Sequence, residues 1–129
     1  FQLIECIYQF FPTHACIITY FLFLGQTLQK LSSVNSCFYG CTSLTQAPEI
    51  PSKVTNMHSC FEGCKNITAV TLKCNYNSEQ INGFPAFKDA FKECEKLTAG
   101  SIKVPAGQLQ TYKDNARDMG AQPDRFIGE

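Results

Sequence analysis

Cys37-Phe38-Tyr39-Gly40-Cys41-Thr42-Ser43-Leu44-Thr45 returns 23 residues later as Cys60-Phe61-Glu62-Gly63-Cys64-Lys65-Asn66-Ile67-Thr68. A looser third copy reads Ala90-Phe91-Lys92-Glu93-Cys94-Glu95-Lys96-Leu97-Thr98. The shared order is a small residue, Phe, two polar or glycine positions, Cys, two polar residues, an aliphatic residue and Thr. A chain rich in apolar residues throws up spacings by chance. It does not repeat identities in one order, so a tandem repeat is the first reading. Phe61 to Phe91 spans 30 residues instead of 23, an insertion of 7 placed near 75–82, at the polar run Asn75-Tyr76-Asn77-Ser78-Glu79-Gln80.

Working upstream, Val54 and Met57 precede Phe61 by seven and four residues, as Leu31 and Val34 precede Phe38 and as Phe84 and Phe87 precede Phe91. Steps of three and four place such residues on one face of a helical or 3₁₀ segment, expected to end near Gly40, Gly63 or Glu93. Downstream, Val70, Leu72 and Cys74 alternate with Thr71 and Lys73, and Ile102 and Val104 alternate with Ser101 and Lys103. A period of two marks a strand with one face packed and one wet. No unit covers its own apolar face, so units must pack on one another and Phe38, Phe61 and Phe91 should form a ladder.

Toward the C-terminus, Leu109, Tyr112, Ala116 and Met119 have the spacing of an amphipathic helix, with Gly120 as its stop and Phe126 folding back. The chain begins differently. Glu5 is the only formal charge in the first 24 residues, and Ala15–Leu24 is apolar except for Thr19. Ten residues are too few to span a bilayer, and no Lys or Arg precedes them as a signal peptide requires. Shifting the repeat back by 23 sets Ala15, Ile18 and Phe21 where Phe38, Cys41 and Leu44 stand, so this start reads as a degenerate unit, a sticky edge used in dimerisation or a remnant of a longer parent chain, and its apolar residues predict self-association. The organisation expected is a single domain over 1–129: an apolar segment or degenerate repeat at 1–31, repeats at 32–105 and a C-terminal cap at 106–129.

Eleven basic and eleven acidic residues cancel, with pI about 6.9, and leave no net field to draw nucleic acid. The eight cysteines (Cys6, Cys16, Cys37, Cys41, Cys60, Cys64, Cys74 and Cys94) allow stacked free thiols or at least one disulfide. Cys37-x-x-x-Cys41 and Cys60-x-x-x-Cys64, with His58 beside them, invite zinc, yet the pairs are related by translation and do not converge. A catalytic pairing of a cysteine with His58 or His14 lacks any visible orienting group or oxyanion pocket. Neither catalytic, cofactor nor metal residues are assigned. Asn66-Ile67-Thr68 matches the glycosylation triplet, a pattern frequent by chance.

Cys-Phe-x-Gly-Cys-x-x-Leu-Thr and Cys-Phe-x-Gly-Cys-x-x-Ile-Thr resemble the BspA-like, or treponemal-type, leucine-rich repeat of bacterial surface proteins. So do Ala47-Pro48-Glu49-Ile50-Pro51-Ser52-Lys53-Val54-Thr55-Asn56-Met57 and the ending Ile102-Lys103-Val104-Pro105-Ala106-Gly107-Gln108-Leu109-Gln110-Thr111-Tyr112-Lys113. The resemblance covers about residues 24–129. It implies an α/β solenoid: a short leucine-rich-repeat domain with a small parallel sheet, helical or 3₁₀ segments on the other face, and a C-terminal capping helix. It also implies an exported protein of the cell surface or periplasm that binds protein, including host extracellular matrix, and no catalytic function. Function is then expected from a surface: Gln46, Glu49, Thr71, Lys73, Ser101 and Lys103 on the wet strand face, and Tyr76 in the insertion. Two other expectations stand beside a protein-interaction or adhesion module. One is a structural, self-associating repeat element; the other binds a small apolar ligand or lipid in a pocket formed with the N-terminal segment.

Overall fold

The computed structural model describes residues 29–129. The degenerate unit set on Ala15, Ile18 and Phe21, the self-associating apolar edge, the pocket it would wall, and Cys6, Cys16 and His14 lie outside the described residues.

In the repeated stretch the backbone N–H groups divide between two directions. Those of Cys37, Tyr39 and Cys41 close turns on the carbonyls of Val34, Ser36 and Phe38, three residues back. Those of Val34, Ser36, Phe38 and Gly40 instead donate sideways to Asn56, His58, Cys60 and Glu62 of the next unit. The second unit repeats the scheme, with Met57, Ser59, Phe61 and Gly63 donating to Ala86, Lys88, Ala90 and Lys92. Asp89 and Phe91 carry it one unit further, to Asp118 and Met119. A residue of positive φ stands at every fourth position: Ser36 (53°) and Gly40 (70°), Ser59 (52°) and Gly63 (79°), Asp89 (57°) and Glu93 (61°). Left-handed residues at that frequency forbid an α or 3₁₀ helix, in which every N–H would be spent along one axis.

Two small sheets accompany these turns. β1 (Val70–Thr71), β4 (Ile102–Val104) and β5 (Phe126–Gly128) form a parallel sheet in the order β1-β4-β5. β2 (Gln80–Ile81) and β3 (Phe84–Pro85) form an antiparallel hairpin inside the 30-residue unit. Asn82 and Gly83, both at positive φ, supply the two-residue turn that a tight hairpin requires. Isolated parallel bridges join Ser33 to Asn56, Gln46 to Ala69 and Ile50 to Leu72. Among the described residues the one α-helix is α1 (Leu109–Asp114), of six residues, between the 3₁₀ turns Ala106–Gln108 and Pro123–Arg125.

The expected leucine-rich-repeat solenoid is therefore corrected. Strands of two or three residues build no curved sheet, and where helical or 3₁₀ segments were expected opposite it there are ribbons of turns. The capping helix is also shorter than its apolar spacing suggested. It stops at Asn115, whose side chain donates back to the Thr111 carbonyl at 2.8 Å, and residues 116–120 continue as turns lying against the third unit. Phe84 is a further correction: it is 58% exposed in the hairpin and does not join Phe87 and Phe91 in the core.

The side-chain columns do follow the repeat. The Phe38 and Phe61 rings stack at 5.4 Å and 4°, and Phe61 and Phe91 at 5.9 Å and 8°. Phe126 closes the column edge-on to Phe91 at 6.2 Å and stacks on Tyr112 at 5.6 Å. Leu44, Ile67 and Leu97, the aliphatic positions of the repeat, are all buried in the same core, as are Ile50, Leu72 and Val104. Val70, Leu72 and Cys74 point inward along β1 and its continuation, as do Ile102 and Val104 along β4.

Candidate functional site: the wet face of the parallel sheet

Register places Thr71 of β1 beside Lys103 of β4, and Lys103 beside Ile127 of β5. The three are cross-strand neighbours on the face opposite the buried Val70, Ile102 and Phe126. Lys103 and Ile127 are exposed, Ile127 to 46%, and Thr71 is half-buried. Lys73 is exposed, and its ammonium lies 3.5 Å from the Glu129 carboxylate. Both groups are well solvated, so that pair contributes little to stability but neutralises the cation.

The remaining expected residues separate. Gln46 is exposed where its strand bridges Ala69, and Glu49 is exposed beside the Ile50–Leu72 bridge, so both border the row on the β1 side. Ser101 heads β4 half-buried, its hydroxyl enclosed without a hydrogen-bond partner. Tyr76 belongs elsewhere. Its half-buried ring lies 5.2 Å from Phe87 and 5.8 Å from Tyr112, and its N–H donates to the Gln108 side-chain oxygen at 3.1 Å. Tyr76 is thus a packing residue that ties the insertion to the C-terminal region, and not an exposed aromatic anchor. Ile127 and Glu129, which complete the wet row, were missed because β5 has three residues. Only the short alternation Phe126-Ile127-Gly128-Glu129 hints at it.

The cysteines take a structural part. All six in the described residues are free and buried. The Cys64 thiol donates to the Phe38 carbonyl of the neighbouring unit at 3.0 Å, and Cys94 does the same to Phe61 at 3.0 Å. Each of these carbonyls also accepts the N–H three residues on, so the thiol occupies its second lone pair. A small apolar side chain with a weak donor fits that position, where a larger one would part the units. Burial pushes the thiols of Cys37 and Cys60 well up, and that of Cys94 to about 12. Cys41 is raised by its hydrogen bond with Cys64 and then by burial. Thiolate is the nucleophilic form, so these groups are held in the unreactive one.

Raised thiol pKa values also fix the sign of an alkaline effect. Below the unfolded pKa, near 9.0, both states hold the proton and the fold loses nothing. Above it the unfolded chain ionises first, binds fewer protons than the native state, and is favoured by about 1.4 kcal/mol per pH unit for each such thiol. Thermal unfolding between pH 8 and pH 11 should show the midpoint falling steeply above pH 9; a flat profile would mean that these thiols are not buried.

His58 is half-buried, with Nδ1 3.3 Å from the Pro85 carbonyl and its ring 5.1 Å from Phe84, so its ring is engaged by the hairpin. Among the described residues no group of three or more His, Cys, Asp or Glu is arranged to hold a metal. Asn66 is engaged too, its amide nitrogen donating to the Thr42 carbonyl of the preceding unit. No helix of the described residues is long and apolar enough to cross a membrane. Comparison with protein-family models, curated proteins and solved structures finds no match to this chain.

Proposed function

We propose that the chain is a non-catalytic protein-interaction module that presents the wet face of β1, β4 and β5 to a partner protein. The observation that carries this reading is the row Thr71–Lys103–Ile127, in which a 46% exposed isoleucine stands in register beside an exposed cation. An aliphatic residue on a wet strand face contributes nothing to the core, yet offers apolar area that a partner can bury. The row sits on a sheet fixed from below by Val70, Ile102 and Phe126, so little order would have to be imposed on binding. The six thiols among the described residues are buried in the core, which supports a role without covalent chemistry at those groups.

The adhesive role implied by the resemblance supplies the partners to try first. Immobilised extracellular-matrix proteins should include at least one that binds the chain saturably. The double variant Lys103→Glu/Ile127→Asp should bind it about tenfold more weakly or worse, a loss of roughly 1.4 kcal/mol. Equal binding by the variant, or no binding to any of these proteins, contradicts the reading.

A further inference from the structure

Most asparagines among the described residues are tied down through their side chains. Asn35 and Asn56 accept hydrogen bonds from Ser36 and His58. Asn66 and Asn115 donate to the Thr42 and Thr111 carbonyls, and Asn77 both donates and accepts. Asn75 and Asn82 are exposed and make no such bond. The residue that follows separates these two. Tyr76 follows Asn75, with its ring packed on Phe87 and Tyr112 and its N–H held by the Gln108 side-chain oxygen at 3.1 Å. Gly83 follows Asn82 and is the reverse. Its N–H meets no acceptor among the described residues, and nothing lies within 4 Å of the place where a Cβ would stand.

The structure assigns Asn82 as a site of spontaneous covalent modification, at which water converts the side-chain amide into a carboxylate. The Gly83 backbone nitrogen attacks Asn82 Cγ, and the new N–C bond closes a cyclic imide. The Cγ–Nδ2 bond breaks, and Nδ2 leaves as ammonia with the proton given up by Gly83 N. Water then opens the ring at either of its carbonyls. Cleavage between Cγ and the ring nitrogen gives aspartate. Cleavage between the backbone carbonyl carbon and that nitrogen gives isoaspartate, with the chain rerouted through Cγ. Nothing is oxidised or reduced: one water enters and one ammonia leaves.

Glycine lets the attack proceed because it sets no Cβ in the path and its backbone turns freely. Ring closure also requires residues 82 and 83 to leave the turn, which the hairpin opposes weakly. It has two residue pairs, Gln80 with Pro85 and Ile81 with Phe84, and Pro85 has no N–H to contribute. A ladder so short is marginal by itself. The product gives a chain of no net charge one negative charge, two residues from the exposed Phe84.

The test is prolonged incubation of the folded full chain in neutral buffer made with heavy-oxygen water, followed by proteolytic digestion and mass spectrometry. The peptide holding Asn82 should gain the mass of amide-to-acid exchange with one heavy oxygen, ahead of every other asparagine among the described residues. Ion exchange should show a species shifted by one negative charge. The product should divide between aspartate and isoaspartate, the latter recognised by an isoaspartate-directed carboxyl methyltransferase. Asn82→Gln, which would have to close a larger ring, should lose the acidic species, with circular dichroism checking that it is folded. An unchanged Asn82 in folded chain whose urea-unfolded form converts there would show that the turn protects it, and overturns the inference. Aspartate without isoaspartate, which excludes the imide, or earlier conversion at Asn75 overturns it as well.

Discussion

Phe61→Ala is expected to lower the free energy of unfolding by about 3–5 kcal/mol, the usual range for truncating a fully enclosed aromatic ring. Phe61 is the middle ring of its column, stacked on Phe38 on one side and on Phe91 on the other, and it is completely buried. Its removal leaves two neighbours facing a void with no other ring to slide in. Phe84→Ala supplies the contrast. That ring belongs to the same sequence pattern but is 58% exposed on the hairpin, so its loss should stay within about 0.5 kcal/mol. Urea titration followed by far-ultraviolet circular dichroism measures both, since the chain has no tryptophan. Similar costs for the two variants would remove the distinction between a residue inside the column and one outside it.

Gly120→Ala should have the second large effect, about 2–4 kcal/mol, from two causes acting together. Gly120 has φ of 77°, where a side chain costs about 1–2 kcal/mol. Its added Cβ would also stand 2.7 Å from Lys92 Cα and 2.8 Å from Lys92 N, backbone atoms that cannot step aside without parting the units. Gly63→Ala isolates the first cause. Its φ is 79°, but the new Cβ would meet Gly40 Cα at an ordinary 3.4 Å, so about 1–2 kcal/mol is expected. The difference between the two variants measures how tightly the C-terminal turn is pressed onto the third unit. A Gly120→Ala cost no larger than that of Gly63→Ala would mean it is not.

What could be read from the chain depended on which physical quantity the pattern reports. Phe38, Phe61 and Phe91 were legible as one column because identical residues recurring in one order must meet identical surroundings. The wet face was legible because alternation along Val70–Cys74 and Ser101–Val104 has one geometric meaning. The segment around Phe38 was not: apolar steps of three and four describe a helix and a ribbon of turns alike. What separates them is the sign of φ at Ser36, Ser59, Asp89 and Glu93, residue types that do not advertise a left-handed backbone as Gly40 and Gly63 do. Phe84 was misplaced because Asn82-Gly83 turns the chain just before it and breaks the spacing counted back from Phe91. Tyr76 reads as a surface aromatic in the sequence because its polar neighbours say nothing of Tyr112, which meets it from far along the chain. The third member of the wet row, Ile127, was lost in a strand too short to show a period.

The direction of the repeat's backbone hydrogen bonds underlies the columns, the fit of the thiols and the position of the wet face. Couplings across hydrogen bonds, measured by nuclear magnetic resonance on isotope-labelled protein, report it atom by atom. The amide nitrogens of Phe38 and Phe61 should couple to the carbonyl carbons of Cys60 and Ala90 in the next unit. Couplings to Val34 and Met57 instead, four residues back within the same unit, would show helices and contradict the arrangement.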